Sequence, residues 1–572
     1  MNIRHMLSQT FTISTWIQKY NRALLRDDLL ATAVVLVLLI PQSLGYAMVA
    51  GLPPQVGLYA SMLPAIIYAL FGTSMSISVG PAAVPALMTL AATSVVAMPG
   101  TPEYLGAALV LTWLCGFILL AMALLRFGFL THFISHGVIS GFTTASALII
   151  AASQLKHIFG IEAHGLTLPE IGFSLWEHRL NVSIYTLGLG GITLLLLVWL
   201  RVYLKPLLLK WGMGITQADI LQRTSPMAVV VGSILVTMVF KLDTLGVKVV
   251  GDIPQGLPSI MLPNAAFSQW SALANSALLL ALLIYVESIS IAQSFAAKRR
   301  QRINPDKELW AIGGANIGAA ITGGCPVAGS FSRSAVNFNA GAQTPMAGVF
   351  TAMGIGIMAI YFTKALYYLP LATLAATIIV AVLPMVDLKI VRHTWDYSRR
   401  DGVAILAALL MSLLLGVEVG IAVGVLLSIG FFLQRTSRPS IVVVGRVAGT
   451  AHFRDAAHHD VQIHESVLML RVDMSLYFAN ASFVEEFILR QLVQNPQLKH
   501  VVLIGSGINL IDASALDVLE DMIVKLRDVG VTFHLAAIKA GVQERLERVG
   551  FMKKLARPIF PSALDAAEAL WQ

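Results

Sequence analysis

The sequence predicts an α-helical membrane protein with fourteen transmembrane segments, arranged as two inverted repeats of seven and followed by a small cytoplasmic α/β domain. Three observations carry this prediction: a series of long apolar segments, a motif that recurs at a fixed offset, and a change of composition near residue 440. Of the 572 residues, 57% are hydrophobic and 12% are charged, and the mean hydropathy is +0.77. These values exclude an ordinary soluble enzyme.

Fourteen apolar segments are compatible with membrane spans, although several are shorter than the roughly 20 residues of a full helical span. They lie at 29–49, 55–72, 80–97, 104–125, 129–152, 182–200, 226–240, 274–297, 308–322, 326–341, 345–363, 371–386, 402–416 and 418–434. Residues 1–28 are polar, so the first apolar segment is expected to stay as a transmembrane helix and not to be a cleaved signal. The membrane domain is assigned to 29–436, and residues 1–28 to a cytoplasmic N-terminal segment.

Positive charges are concentrated in alternate loops. With a cytoplasmic N-terminus, the inner loops contain Arg126, Arg201, Lys205, Lys210, Arg223, Lys298, Arg299, Arg300, Arg302, Lys307, Lys389, Arg392, Arg399, Arg400, Arg435 and Arg438. The outer loops contain only Lys156, Arg179, Lys241, Lys248 and Lys364. This asymmetry follows the positive-inside rule and predicts a multi-pass protein of the cytoplasmic (inner) membrane with both termini in the cytoplasm.

The formal charge of +8 is explained by these loops and does not indicate a nucleic-acid partner. The two cysteines, Cys115 and Cys325, lie in apolar segments and imply neither a disulfide framework nor a metal cluster. We expect no cofactor and no metal site, and neither half of the chain shows a nucleophile motif or a phosphate-binding loop. The protein is therefore not predicted to be an enzyme.

The composition changes after Arg438 and Pro439. Residues 440–572 carry similar numbers of acidic and basic residues. Strand-like runs (IVVVGRV, VLMLRV, HVVLIGS, VTFHLAAI) alternate with the amphipathic segments SFVEEFILRQLVQ and DASALDVLEDMIVKLRDVG. This alternation predicts a small α/β domain, which is cytoplasmic because the last span ends on the inner side.

An internal repeat points to a transport site. The segment PQSLGYA (41–47) resembles VESISIA (286–292), which pairs Gln42 with Glu287, and SVGPAAV (78–84) resembles GGCPVAG (323–329), which pairs Pro81 with Pro326. Both pairs are 245 residues apart. Seven spans separate the two copies, and an odd number reverses the orientation. Inverted repeats of this kind are typical of secondary transporters.

The third and tenth segments are short and carry a proline near their start. Proline is favoured in the first turn of a helix, and it restricts the residue before it to an extended conformation. Each segment is therefore expected to be an extended stretch followed by a half-helix that begins near the bilayer midplane. Two such helix N-termini, each with partial positive charge, would form an anion site, to which Arg333 adds a permanent cation.

Glu287 lies in the middle of an otherwise uncharged apolar segment. A carboxylate inside a membrane is costly unless it is paired or protonated, so a functional role is the default interpretation. The residues leave two roles open, which are compatible: proton coupling, or neutralisation of Arg333 when the site is empty.

At these residues the chain resembles a known family. The stretches PQSLGYAMVAGLPPQVGLYAS, SVGPAAV and GGCPVAGSFSRSAVNFNAGAQTP resemble the signature segments of the SulP sulfate permeases, also called solute carrier family 26. The tail, with VVLIGSGINLIDASALDVLE, resembles a STAS domain. The resemblance implies a core domain (spans 1–4 and 8–11), a gate domain (spans 5–7 and 12–14), a homodimer in the lipid membrane and an elevator-like movement.

The resemblance also implies the roles of individual residues. The anion-binding residues of the family fall on Gln42, Tyr46, Ala82, Phe331, Ser332 and Arg333, and the carboxylate of the eighth span falls on Glu287. In the tail, Ser514 corresponds to a serine that can be phosphorylated in soluble regulators, although Ala515 replaces the usual glycine of that turn. Family members implicate regulatory protein contacts on this domain, and acyl carrier protein is one candidate partner.

The sequence therefore favours a secondary active transporter of an oxyanion such as sulfate, coupled to protons. Sodium-coupled bicarbonate members of the resembled family tend to carry Asp in the eighth span and lack the Ser-Arg pair. Since this chain has Glu287 and Arg333 instead, the resemblance favours protons over sodium as the coupling ion. Alternatives that stay open are a bicarbonate or C4-dicarboxylate transporter or exchanger, an anion channel, and a membrane-anchored sensor.

Overall fold

A computed structural model describes residues 12–132, 136–261 and 267–571. The chain divides into two compact units between Ser428 and Ile429. The first unit contains nearly all of the apolar helices, and the second contains a five-stranded sheet with its helices. The predicted domain limits, 29–436 and 440–572, stay predictions.

The first half of the helical unit begins with a short helix and then a long one. Its elements are α1 (Ile13–Trp16), α2 (Arg22–Val49), α3 (Pro54–Tyr59), α4 (Leu63–Phe71), β1 (Val79–Gly80), α5 (Ala83–Ser94), α6 (Pro102–Leu124), α7 (His136–Phe159), α8 (Leu168–Glu177), α9 (Ile184–Trp199), α10 (Lys205–Lys210) and α11 (Ile215–Phe240).

The second half repeats this order of long helix, helix, short strand and short helix. Its elements are α12 (Phe267–Lys298), α13 (Pro305–Ile321), β2 (Ala328–Gly329), α14 (Phe331–Asn339), α15 (Met346–Tyr361), α16 (Leu371–Val382), α17 (Leu388–Tyr397), α18 (Arg399–Leu415) and α19 (Val417–Ser437). Within the described residues, the fourteen predicted apolar segments fall on helices. Segment 55–72 covers the two helices α3 and α4, and segments 80–97 and 326–341 each cover a short strand and a helix.

The helices are long and apolar enough for a membrane protein. Among the described residues, eight helices have the length and composition to cross a membrane, and Ala83–Ser94 and Met346–Tyr361 are apolar but shorter. The predicted count of fourteen spans includes these shorter segments and stays a prediction. The helices α8 and α17 lie between predicted spans and are amphipathic, which is typical of helices at a membrane interface.

Small residues allow the helices to pack closely. The run AIGGANIGAAITGG lies mainly on α13, which packs against α4 and α6. A Cβ added at Gly318 would lie 2.5 Å from Ile67 Cδ1, and one at Gly324 would lie 2.9 Å from Ala60 Cα. These glycines are packing residues, as is common between membrane helices.

Two carboxylates that the sequence analysis did not single out are fully buried in this unit. Asp28, near the start of α2, accepts hydrogen bonds from the backbone N–H groups of Gln343 (2.7 Å) and Thr344 (3.1 Å) and from Thr344 Oγ1 (2.5 Å). It thereby ties α2 to the loop that precedes α15. Because this carboxylate is hydrogen-bonded several times, its burial is compensated.

Glu308, in the first turn of α13, holds the loop that leads into β1. It accepts hydrogen bonds from Tyr68 Oη (2.8 Å), Thr73 N (2.7 Å), Thr73 Oγ1 (2.5 Å) and Ser74 N (3.2 Å). One side chain therefore connects the second repeat to the entry of the first half-helix.

The second unit is an α/β domain, as predicted. Its elements are β3 (Ile441–Arg446), β4 (Phe453–Asp455), β5 (Val467–Val472), α20 (Ala481–Gln494), β6 (His500–Ile504), α21 (Ala513–Asp528), β7 (Thr532–Ala536), α22 (Ala540–Arg548) and α23 (Ala563–Leu570). The strand order is β4-β3-β5-β6-β7. The strands β5, β6 and β7 are parallel, and β3 is antiparallel to both of its neighbours.

Alternate residues of the sheet face two different hydrophobic layers. Leu468, Leu470, Val501 and Leu503 pack in one layer with residues of α20 and α21. Met469, Val502 and Ile504 pack in the other with residues of α23. This alternation follows from the period of two in a strand and explains why β5 and β6 are almost entirely apolar. The sequence analysis did not predict β4, α22 or α23.

Two histidines interrupt the second layer. His534 is 3% exposed, and its Nε2 lies 3.3 Å from Nδ1 of His500 on the neighbouring strand. Burial, followed by the nearby His500 and Arg557, lowers the pKa of His534 from its ordinary value to about 4. Burial and the neighbouring cations lower the pKa of His500 in the same way. The folded domain therefore holds both rings in the neutral form at neutral pH.

Replacing Glu308 by alanine is expected to destabilise the helical unit by about 3 kcal/mol, because several buried donors lose their acceptor. The measurement is unfolding of the purified protein in detergent. Glu103→Ala, at an exposed acid in the first turn of α6, is the control and should cost no more than about 1 kcal/mol. Equal effects of the two substitutions would contradict the structural role of Glu308.

His534 is expected to make the second unit sensitive to acid. Its pKa is lower in the folded than in the unfolded state, so the stability is complete above about pH 6.5 and falls toward pH 4, by up to about 1.4 kcal/mol per pH unit. Hydrogen exchange of β6 and β7 in the full-length protein measures this loss. His534→Phe should flatten the pH dependence, whereas the exposed His459→Gln should not. A parent protein whose protection is constant over this range would refute the expectation.

Candidate anion site

The site is built around two half-helices that begin next to one another. Just before them, β1 and β2 form a two-residue antiparallel ladder in which Val79 pairs with Gly329 and Gly80 with Ala328. The helix α5 follows β1 and α14 follows β2. Because the two strands are antiparallel, the helices leave the ladder in opposite directions, and both N-termini lie at it.

Neither half-helix is capped by a side chain. The N-cap residues are Ala82 (φ −132°, ψ 157°) and Ser330 (φ −111°, ψ 122°), both extended, and within the described residues neither side chain accepts a hydrogen bond from the first turn. The first turn of a helix has N–H groups without intrahelical partners and a partial positive charge. Two uncapped helix starts at one point therefore favour a negatively charged ligand.

The repeat is not kept in register at this point. By the offset of the motif pairs, the counterpart of Ala82 is Val327, but the second half-helix has its N-cap three positions later, at Ser330. The second copy thus contains a longer extended segment before its half-helix. We call the extended segment before each half-helix its leg. The leg of the second copy includes β2 and is buried, so its backbone polar groups need hydrogen-bond partners.

Side-chain hydrogen bonds supply partners for backbone groups of this leg. Asn316 on α13 accepts from Val327 N (3.0 Å) and donates to Val327 O (3.0 Å), so it completes both backbone groups of one residue. Ser288 on α12 accepts from Gly329 N (2.9 Å). The leg is therefore fixed from two helices, and its backbone polar groups are satisfied although it is buried.

The half-helix α14 is attached to the leg of the other copy. Ser334 Oγ accepts from Ser78 N (2.9 Å), Ser330 N donates to Ser78 O (3.1 Å), and Asn337 Nδ2 donates to Ser76 O (3.1 Å). These residues recur on one face of α14. We call the two legs, which contain β1 and β2, together with the starts of α5 and α14, the cradle.

Arg333 lies inside the cradle and is fully buried. Its Nη1 donates to the carbonyl of Pro81 (2.6 Å), on the leg of the first copy. Its Nε and Nη2 are buried and have no hydrogen-bond partner in the part of the chain that the structure describes. Buried donors are rarely left unpaired, so this guanidinium lacks an acceptor that a bound anion could supply.

Gly80 leaves the space next to this guanidinium. A Cβ at Gly80 would lie 3.3 Å from Arg333 Nη2 and 3.6 Å from Ser61 Oγ. A side chain at this position would therefore occupy the volume beside the unpartnered nitrogen. Glycine at this ladder position therefore keeps the guanidinium free of a close side-chain contact.

The residues of the first and eighth predicted spans converge on Arg333. Tyr46 and Glu287 both interact electrostatically with its guanidinium. Among the described residues, however, Glu287 forms no ion pair with it, and Glu287 Oε2 is buried without a hydrogen-bond partner. Gln42 is 6% exposed, and its Oε1 is likewise without a partner among these residues. The centre of the cradle thus holds several buried polar atoms without a hydrogen-bond partner, which a ligand or a proton would supply.

Phe331 and Ser332 lie on the outer face of the first turn of α14, and both are exposed. The ring of Phe331 packs against that of Phe295 on α12 at 5.5 Å between centroids. Of the predicted site residues, Gln42, Tyr46, Ala82 and Arg333 are therefore buried, Glu287 is half-buried, and Phe331 and Ser332 are exposed. Their contact with an anion stays a prediction.

Sequence reasoning did not identify the supporting residues. Asn316 was present as a lone amide in a run of small residues, which is a recognisable signal for a functional polar group in a span. Ser330, Ser334 and Asn337 were present at helical spacing on one face of α14. The two-residue ladder has no sequence signal, because strands of this length show no periodicity.

In the second unit, Ser514 lies exposed in the first turn of α21. Asp512 is the N-cap of this helix, accepting from Ala515 N at 2.8 Å and from Phe478 N at 3.0 Å. Ser514 is therefore accessible, and its phosphorylation stays a prediction. In the described ranges, no group of three His, Cys, Asp or Glu side chains is arranged to hold a metal ion.

The apolar helices, the repeated order of elements and the cradle between two half-helices define a polytopic membrane transporter with a C-terminal α/β domain. Residues 25–408 match the sulfate permease family, and residues 458–566 match the STAS domain. The chain belongs to the sulfate permease family, also called SulP or solute carrier family 26, and it carries a C-terminal STAS domain.

Curated relatives match over nearly the whole chain. Sulfate transporter 4.1, chloroplastic, of Arabidopsis thaliana is 30% identical over 97% of this chain and 83% of its own length. A probable sulfate transporter of Mycobacterium tuberculosis is 31% identical over 96% of both chains.

Solved structures show the same fold. Murine solute carrier 26 family member A9, an anion transporter in the inward-facing state, matches with a TM-score of 0.89 and 23% identity over 99% of this chain and 95% of its own. The transmembrane domain of the cyanobacterial bicarbonate transporter BicA matches with a TM-score of 0.60 and 20% identity over 71% of this chain and 98% of its own.

Proposed function

We propose that this protein is a secondary active transporter of a small oxyanion, with sulfate as the first candidate and protons as the coupling ion. The observation that carries the proposal is Arg333, fully buried at two uncapped helix starts with Nε and Nη2 unpartnered in the described part of the chain. The geometry supports an anion as substrate, and the names of the relatives support sulfate.

The charge of the site selects for anions. A buried guanidinium is costly unless it is paired and hydrogen-bonded, and an entering oxyanion supplies both the charge and the acceptors. The two helix starts add donors without adding further side-chain charge. A cation entering the same site would be repelled by this positive potential.

Glu287 supplies the coupling. When it is protonated, it is neutral, and Arg333 is available to the anion. When it is ionised, it competes for the same guanidinium and weakens anion binding. The absence of a direct Glu287–Arg333 ion pair among the described residues leaves room for an anion beside the arginine. Proton binding at Glu287 and anion binding at Arg333 therefore favour each other, which is the requirement for symport.

Transport is proposed to occur by movement of the cradle-bearing helices against the others. The helix α2, which carries Gln42 and Tyr46, packs against both α15 and α16. At Gly45, an added Cβ would lie 2.7 Å from Ile378 Cδ1 of α16, so Ile378 packs into the space that this glycine leaves on α2. The proposed elevator-like movement has to break this contact between α2 and α16.

The exposed first turn of α14 indicates the side on which an anion would leave. Phe331 is exposed and packs on Phe295, which lies one turn before the basic end of α12 at Lys298. By the positive-inside rule this end is cytoplasmic. We therefore propose that the anion passes between Arg333 and the cytoplasm on this side of α14.

The cellular setting follows from the same charge asymmetry. We place the protein in the cytoplasmic membrane, with both termini in the cytoplasm, as a homodimer surrounded by lipid. The STAS domain is proposed to bind a regulatory protein, with acyl carrier protein as one candidate and Ser514 as a modification site.

Arg333→Ala is expected to raise the KM for sulfate uptake into proteoliposomes by about thirtyfold or more, because one partner of a buried charge pair is lost. Arg392→Ala, at an exposed arginine on α17, is the matched control and should leave the KM unchanged. An unchanged KM in Arg333→Ala would remove Arg333 from the anion site.

Glu287→Gln is expected to abolish the accumulation of sulfate that an acidic exterior drives in the parent protein, because glutamine mimics the protonated acid and does not titrate. Sulfate–sulfate exchange across the same liposomes should continue. The exposed Glu177→Gln is the control. Undiminished pH-driven accumulation by Glu287→Gln would show that the proton is carried elsewhere.

Competition by bicarbonate, succinate and fumarate in the same assay identifies the substrate. Saturable accumulation against a gradient distinguishes a transporter from an anion channel. An uptake that is unaffected by a pH gradient in the parent protein would refute proton coupling while leaving anion transport intact.

A further inference from the structure

A second basic cavity lies outside the cradle. It has a volume of about 250 Å³ and is enclosed by the end of α7, the start of α9, the start of α16 and the loop before it. Lys156, His157, Lys248 and Glu162 line it, together with Thr186. It shares no lining residue with the cradle described above, and these residues belong to none of the motifs that carry the family resemblance.

The backbone builds this cavity on one side with a sharp turn. The helix α7 ends at Phe159, and Gly160 follows with φ +70°. A Cβ at Gly160 would lie 2.9 Å from Thr186 Cβ, so both the conformation and the space require glycine. The chain is thereby turned back across the end of α7, where Glu162 and His164 line the cavity.

The other side is fixed by the start of α16. Leu371 N donates to Lys248 O (2.9 Å), and Val249 forms an antiparallel bridge with Pro370. The backbone that carries Lys248 is therefore held rigidly against α16. Lys156, in the last turn of α7, faces the same space from a separate element.

These elements bring like charges together. Lys156 and Lys248 are close enough to repel each other, and each also repels the ring of His157 when it is protonated. One carboxylate offsets them: Glu162 accepts a hydrogen bond from Lys248 Nζ at 2.9 Å. Among the described residues, Lys156 forms no ion pair. The cavity therefore carries an excess of positive charge.

The ion pair of Glu162 does not close the cavity. Its two side chains are 74% and 58% exposed, and exposed pairs of this kind contribute little and exchange readily. Thr186 Oγ1 donates to Ser183 Oγ (3.0 Å). The side-chain donors that remain for a ligand are the two ammonium groups and the rings of His157 and His164. When the carboxylate of Glu162 exchanges away, the two ammonium groups match a ligand that carries two negative charges.

We propose that this cavity is a second anion-binding site, which takes a small tetrahedral oxyanion with two negative charges, of the sulfate or phosphate class. Such an anion is the size of a few water molecules, each of which occupies about 30 Å³ in the liquid, so the cavity holds one with part of its hydration. The anion neutralises Lys156 and Lys248 and relieves their repulsion. The site goes beyond the transport proposed for the cradle and does not depend on it.

The test uses the full-length protein with Arg333→Ala, which removes the arginine of the cradle, in nanodiscs of zwitterionic phosphatidylcholine. The probe is radiolabelled sulfate at equilibrium. Saturable binding is expected to persist in Arg333→Ala and to weaken by about tenfold or more when Lys156→Ala and Lys248→Ala are added. Lys364→Ala, at an exposed lysine outside the cavity, is the matched control and should change nothing.

Two results overturn the proposal: no saturable sulfate binding by Arg333→Ala, or binding that the two lysine substitutions leave unchanged. Neither result bears on uptake by the parent protein, so failure of this site and failure of the proposed transport are distinguishable. If phosphatidylglycerol added to the nanodiscs competes with sulfate, the site takes its oxyanion from a lipid headgroup. If it does not compete, the site takes the free anion.

A second measurement needs no substitution. Sulfate, but not chloride, is expected to protect Lys156 and Lys248 of the parent protein from an amine-reactive label, with Lys364 as the internal reference in the same mass spectrum. Equal labelling of Lys156 with and without sulfate would overturn the proposal, even if a substituted protein failed to fold.

Discussion

The structure depends on the burial of one guanidinium away from water. Arg333 is fully enclosed, its charge is permanent, and protein alone supplies a single acceptor, the carbonyl of Pro81, among the described residues. Such a charge is tolerated only where its surroundings are rigid and polar. This rigidity comes from three sets of hydrogen bonds. The first is the ladder of β1 and β2, and the second comes from the side chains of Asn316 and Ser288. The third joins Ser334 and Asn337 to the opposite leg. Each of them fixes the backbone around a space that a ligand completes.

The buried carboxylates extend the same constraint to the ends of the helices. Glu308 orders the loop before β1, and Asp28 orders the loop before α15, which follows α14. Both use a carboxylate from one repeat to satisfy backbone N–H groups of the other. The two repeats are therefore joined by directional bonds on both sides of the cradle, so that its parts move together and keep the geometry of the anion site.

Much of the fold was predictable from the sequence because the membrane reduces the choices. Backbone polar groups inside a bilayer must be satisfied locally, so most apolar segments had to be helices, and the loop charges fixed their predicted orientation. Glu287 and Arg333 were recognisable since charged residues in apolar segments are rare, and Gln42 was recognisable from the repeat that pairs it with Glu287. The STAS strands were recognisable by their apolar runs. The supporting residues were not, because serine and asparagine beside small residues look the same whether they face a backbone N–H group or a neighbouring helix.

The sequence by itself determined the class of protein, the order of its elements, the presence of the two half-helices and the positive character of the site. Only the tertiary structure decided how these parts meet. It paired β1 with β2, moved the second half-helix three positions beyond the repeat register, and separated Glu287 from direct contact with Arg333. It also brought Lys156 and Lys248 together across one cavity. The reason is physical: hydropathy and charge act along the chain and are visible in the sequence, whereas hydrogen bonds and cavities depend on distances between residues that are far apart in it.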